Sequence, residues 1–281
     1  RGRIMMIDVR PKTDRGFFAE IYGADLKDCS DADFAIIKDA HLTHSVIAIR
    51  DQNLTPAQQI SFSKRFGPLS IHVLEEQLLA GHPEILLVTN KKENGRFLGI
   101  PDLGRKWHTD QSYEERPALG SLLYALEVPE DGSGDTWFAD MTAAYEALPA
   151  EERRRLDEFE AEHRYDHKHK DFELSDNQIV RLPGVLHPLV RTHPKTGRKA
   201  LYLGVQLVKR IVGLAADESD RLLADLHTHC TQPEFVYCHK WRKGDLVFWD
   251  NRCTMHAAQP YDDTRFTRHM HRTTVIGDRP Y

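Results

Sequence analysis

Residues 234–277 constrain the fold most. They hold four short apolar runs, EFVYCHKW, GDLVFWDN, CTMHAA and TRHMHRTTVIG, joined by tight turns. Runs of this length, rich in β-branched and aromatic residues, read as strands. Further strand readings fall at GFFAEIYG, SVIAIRD, 107–113 and 120–128, and HPLVRTHPKTGRKALYLG (187–204) reads as strand, turn, strand. Helical spacing marks SDADFAIIKDAHLTHS, where Ser30 is the N-cap, and TPAQQISFSKRFGPL, where Thr55 caps and Pro56 takes the first helical position. Residues 141–167 and 215–232 read as two more helices. The pattern is an antiparallel β core with helices packed outside it.

The chain has 281 residues, 40 % of them hydrophobic and 29 % charged, which suits one globular domain spanning 1–281. Residues 91–106 read as an active-site loop, and 164–186 as an excursion or lid. No apolar run is long enough to cross a bilayer, and RGRIMMIDVRP shows no secretory leader. The net charge of −5 argues against nucleic-acid binding. Cys29, Cys230, Cys238 and Cys253 are scattered without a CxxC spacing, as expected of reduced thiols in the cytoplasm.

RKWHTDQSYEERPA (105–118) sets His108 and Asp110 one residue apart. On a strand, such residues share a face. One more histidine would complete the two-His, one-carboxylate set of non-haem Fe(II) oxygenases, which leaves coordination positions open. Alone, the pair is weak, because most HxD pairs are chance surface neighbours. The third ligand is expected at His256, although a lone histidine after an apolar strand is more often structural. Arg268 and Arg272 lie four apart in TRHMHRTT and share a strand face. Turned inward, two guanidiniums need anions; turned outward, they would leave His269 and His271 inside. An Fe(II) oxygenase draws two electrons from 2-oxoglutarate, whose distal carboxylate suits the bidentate fork of Arg268, with Thr136 as an added hydroxyl.

The chain resembles the taurine dioxygenase / phenoxyacetate-herbicide dioxygenase (TauD/TfdA) family of Fe(II)- and 2-oxoglutarate-dependent oxygenases. FSKRFGPLSIH, WHTDQSY, GSGDTWFADMTAAYEALP, HPLVRTHPKTGRKALYLG, WRKGDLVFWDNRCTMH and MHRTTVIGDRPY carry the resemblance over nearly the whole length. It implies a double-stranded β-helix, the jelly-roll or cupin-like core, with His108, Asp110 and His256 as iron ligands and as the catalytic set. Thr136, Arg268 and Arg272 would serve 2-oxoglutarate. Arg272 would also meet the anionic end of the substrate, opposite His72. The resemblance further implies O₂ as co-substrate and a homodimer or homotetramer; the charge and the short apolar runs lead us to expect no nucleic-acid or membrane partner.

The substrate is expected to be a small organic anion: a sulfonate, an alkyl sulfate ester or an aryloxyalkanoate. Glu75 stands where the taurine pattern has a tyrosine, Leu207 where it has an aromatic residue, and DLGRK (102–106) replaces an Asn-rich segment. These departures put recognition of an amine in doubt. Two rival readings are a zinc hydrolase using the same ligands, which leaves the arginines and Thr136 without a task, and a catalytically silent jelly-roll protein.

Overall fold

The computed structural model describes residues 6–101, 103–165, 168–169, 172–173, 176–180 and 182–281. Its framework is an eight-stranded sheet in the order Asp8–Pro11, Ala19–Tyr22, Val46–Ile49, Leu246–Asp250, Ala118–Glu127, His269–Ile276, His82–Thr89 and Leu78–Leu79. Among the described residues only the Ala19–Tyr22 and Val46–Ile49 strands pair in parallel. A three-stranded sheet, Val236–His239, Thr136–Asp140 and Thr254–Ala258, faces it. Two sheets closing on one another make a jelly roll.

Side-chain alternation explains why the central strands are apolar without interruption. Ile47, Ile49, Leu122, Tyr124, Leu246 and Phe248 belong to one buried cluster, with Ile37 and Phe62 of the helices Asp31–His44 and Pro56–Lys64. Their neighbours Val46, Ala48, Leu123, Ala125, Val247 and Trp249 belong to another, with Phe138 of the smaller sheet. Each strand is covered on both faces, so both residue parities are hydrophobic. Both helices begin as the sequence predicts: Ser30 Oγ accepts from Asp33 N at 3.1 Å, and Thr55 forms a capping box with Gln58.

Three expectations need correction. Residues 107–113 are not a strand: His108 makes one isolated bridge to His256, and the chain then turns through Gln111 at φ 53°. Residues 141–167 are not one helix. They form Met141–Glu146, Ala150–Leu156 and the strand Glu160–His163, because Pro149 has no N–H for a continuous helical ladder. The 91–106 loop contains a small hairpin, Lys92–Glu93 with Arg96–Phe97. Of the expected excursion, residues 166–167, 170–171, 174–175 and 181 lie outside the described residues, as do residues 1–5 of the N-terminal reading and Asp102 of DLGRK.

His163 is buried with neither ring nitrogen partnered among the described residues. It stacks on Tyr202 with ring centroids 5.2 Å apart. Burial, then His187, pulls its pKa from 6.5 to about 3. Between those values the unfolded chain binds more protons than the folded one, so stability falls as pH drops through this window. His163→Phe keeps the stack and removes the titrating group. Its thermal midpoint, relative to wild type, is expected to rise more at about pH 5 than at about pH 8; an equal change at both would contradict this.

Candidate active site

The bridge that replaces the expected strand brings two histidines together. His108 N donates to His256 O at 3.1 Å, and His256 N donates to His108 O at 2.8 Å. Their ring centroids are 4.2 Å apart. After the turn, Asp110 N donates to Asn251 Oδ1 at 3.1 Å, which aims its carboxylate at the same point. His108 Nε2 lies 3.7 Å from Asp110 Oδ1, and His256 Nε2 lies 3.8 Å from Asp110 Oδ2. All three residues are buried, and their ligand atoms lie within 4.8 Å of one another. A second buried group, His193, Asp250 and Cys253, has similar spacing. There, Arg252 grips Asp250 through Nε and Nη2 at 2.8 and 2.7 Å, so a guanidinium already fills the place of a cation.

The large sheet holds Asp110 from its inner face. Trp249 pairs with Ser121, and Leu123 with Arg272, on adjacent strands. Ser121 Oγ donates to Asp110 Oδ2 at 2.7 Å, Trp249 Nε1 at 3.1 Å and Asn251 Nδ2 at 3.3 Å. Oδ1 accepts from Arg272 Nη1 at 3.1 Å. Burial alone would raise the Asp110 pKa, but Arg272 and His256 hold it well below the usual carboxylate range. Burial, then His108, pulls His256 down to about 3, so its imidazole is neutral. His108 Nδ1 contacts Lys106 O at 2.8 Å, which leaves Nε2 facing the cluster. Gly104 is required beside it: its φ is +76°, and a Cβ would stand 2.8 Å from His108 Cε1.

From the histidines a cavity runs to Thr136, Arg268 and Arg272. Arg268 and Arg272 are both about 5 % exposed (5 % and 6 %), so both guanidiniums turn inward. Among the described residues no carboxylate meets Arg268, its Nε is unpartnered, and burial pulls its pKa down to about 10. A buried cation without a counter-ion is a strong preference for an anion.

Leu86, opposite Arg272 on the neighbouring strand, belongs to an apolar cluster with Val73, Leu74, Ile100, Tyr113, Leu182 and Leu207. His72 borders it, half-buried. Its Nδ1 accepts from Leu74 N at 3.2 Å, and burial, then Arg272, lowers its pKa to about 3. Glu75 follows Leu74 and is exposed on the short turn Glu75–Gln77. Ser121, Trp249, Asn251 and Tyr113 escaped the sequence reading. For Tyr113, three residues past Asp110, proximity in WHTDQSY was the available signal.

A jelly roll that gathers two imidazoles, one carboxylate and two inward arginines defines the class of non-haem iron oxygenases using a keto-acid co-substrate. Residues 8–274 match the Taurine catabolism dioxygenase TauD, TfdA family. A pentalenolactone F synthase from Streptomyces arenae is 36 % identical over 258 residues, covering 85 % of this chain and 84 % of that protein. An alpha-ketoglutarate-dependent 2,4-dichlorophenoxyacetate dioxygenase from Cupriavidus pinatubonensis is 38 % identical over 248 residues, covering 83 % and 85 %. The crystal structure of a taurine dioxygenase from Burkholderia xenovorans superposes with a TM-score of 0.82 at 34 % identity, covering 98 % of this chain and 92 % of that one. The chain belongs to the TauD/TfdA family. It is an oxidoreductase that uses Fe(II), 2-oxoglutarate and O₂.

Proposed function

We propose that His108, Asp110 and His256 hold the ferrous ion. The donor set fits: two imidazoles and an ionised carboxylate, spaced to seat an ion roughly 2 Å from each. Because three donors crowd Oδ2, Oδ1 is the oxygen with room for the metal. Ser121→Ala is therefore expected to weaken Mn(II) binding roughly tenfold, as loss of a partner behind a ligand does. Unchanged affinity in a titration would count against Asp110 as a ligand held by Ser121.

Thr136 and Arg268 take the distal carboxylate of 2-oxoglutarate, and Arg272 lies toward its metal-binding end. What Fe(II) brings when bound is the coupling of 2-oxoglutarate decarboxylation, to succinate and CO₂, with hydroxylation of a substrate C–H bond. The chain's own residues orient the partners. Since His72 Nδ1 accepts a backbone N–H, its proton sits on Nε2. That N–H and Arg272 donate to the substrate's anionic group, while Leu207, Tyr113 and Val73 enclose its apolar body and exclude water.

The substrate we propose is an aryloxyalkanoate. The observation that carries this reading is the apolar and aromatic cluster beside Arg272, which offers a ring a dry wall. Hydroxylation at the carbon bearing the ether oxygen gives a hemiacetal, which collapses to a phenol and an oxo acid. The test is succinate release across aryloxyacids, alkyl sulfates and sulfonates. Aryloxyacids are expected to turn over fastest; turnover confined to amino sulfonates would contradict the reading.

We read the chain as one domain over 1–281, with an active-site loop at 91–106; the expected excursion or lid at 164–186 lies partly outside the described residues. The net charge of −5 and four free cysteines support a cytoplasmic enzyme with no nucleic-acid partner. No helix among the described residues is long and apolar enough to cross a membrane. A homodimer or homotetramer rests on the family resemblance.

A further inference from the structure

Trp241 lies between the Val236–His239 and Leu246–Asp250 strands and is buried. Its indole N–H donates to Thr136 Oγ1 at 2.9 Å. Arg268 Cζ lies 5.9 Å from the centroid of its ring, and His239 packs edge-on against it, with centroids 4.7 Å apart. One side chain thus touches both groups assigned above to the distal carboxylate. An indole N–H only donates, whereas a hydroxyl carries one donor and two acceptor sites. With an acceptor site of Thr136 taken by Trp241, the hydroxyl hydrogen must point away from the indole. Among the described residues Thr136 Oγ1 makes no other hydrogen bond. Thr136 and Arg268 both line the cavity that leads from the histidines.

We propose that Trp241 is a positioning residue for 2-oxoglutarate: its N–H fixes the Thr136 hydroxyl as a donor into the cavity, and its ring flanks the Arg268 guanidinium. A dicarboxylate then meets a preset O–H beside a preset cation. A keto acid without a distal carboxylate gains nothing from either. The proposal rests on the reading of Thr136 and Arg268 as the distal-carboxylate pair, and the test separates the two.

The experiment is calorimetric titration of Zn(II)-loaded protein with 2-oxoglutarate and with 2-oxobutyrate, which lacks the second carboxylate. Thr136→Ala is expected to weaken 2-oxoglutarate binding about tenfold, and Trp241→Phe, which keeps a ring but loses the N–H, about three- to tenfold. The double variant should bind no more weakly than Thr136→Ala alone. Thr136→Ser should restore both the affinity and its sensitivity to Trp241→Phe. Binding of 2-oxobutyrate should not change in any variant, whereas a merely structural role would weaken both ligands.

Wild-type affinity in Thr136→Ala overturns the distal-carboxylate reading, and the proposal with it. Weakening in Thr136→Ala with none in Trp241→Phe, or with additive losses in the double variant, overturns the proposal alone. Should Trp241→Phe fail to fold, the indole N–H resonances of nitrogen-labelled tryptophan answer the same question in Thr136→Ala and Thr136→Ser. One resonance should move in Thr136→Ala only, and in the wild type it should respond to 2-oxoglutarate; no response overturns the proposal.

Discussion

Asp110→Ala is expected to abolish Fe(II)-dependent turnover and to remove tight Mn(II) binding, and it should also destabilise the metal-free protein. The first two effects follow from losing the one anionic ligand. The third follows from what the carboxylate neutralises. Arg272 donates to Asp110 Oδ1 at 3.1 Å and is 6 % exposed. Removing one member of a buried pair costs about 3–5 kcal/mol, because the other charge stays in a dry place. Ser121 and the indole of Trp249 lose an acceptor as well. Circular dichroism at low temperature, run beside the metal titration, separates loss of the ligand from loss of the fold. A folded variant that still turns over would refute the ligand assignment.

Arg268→Ala is expected to behave in the opposite way towards stability and to strike one ligand only. Its guanidinium has no carboxylate partner among the described residues, and burial already weakens its hold on a proton. Truncation therefore removes an unsatisfied charge rather than exposing one, and the metal-free midpoint should change little. The cost falls on 2-oxoglutarate. A charge-assisted hydrogen bond contributes about 1.5–3 kcal/mol, so the concentration for half-maximal rate should rise about 10- to 150-fold. The half-saturating substrate concentration should stay near that of the wild type. Equal loss for both would place Arg268 in general packing rather than on the distal carboxylate.

The elements that were legible in the sequence are those whose signal is local. The caps at Ser30 and Thr55 and the four C-terminal runs depend on neighbouring residues, and the fold keeps them. Local reading failed where a longer-range contact decides. The spacing of His108 and Asp110 predicts a shared strand. In the structure a single bridge to His256 holds the first, and a turn through Gln111, tied down by Asn251, delivers the second. The residues meet as expected, for a different reason. The polar 141–167 run has helical composition, but its last part pairs with the Val185–Pro188 strand, and this pairing outweighs propensity. The donors behind Asp110 were beyond reach of pattern reading: Trp249 and Asn251 lie 139 and 141 residues away in the chain. Only the register of Trp249 opposite Ser121 shows why they converge.

The central claim is that His108, Asp110 and His256 share one ferrous ion that retains room for a chelating keto acid. The most direct measurement is the visible spectrum of the protein with Fe(II), ascorbate and 2-oxoglutarate under strict anaerobiosis. A weak metal-to-ligand charge-transfer band is expected in the wild type, and it should be absent from Asp110→Ala and His256→Ala. A wild-type sample with iron demonstrably bound and no such band would contradict the account.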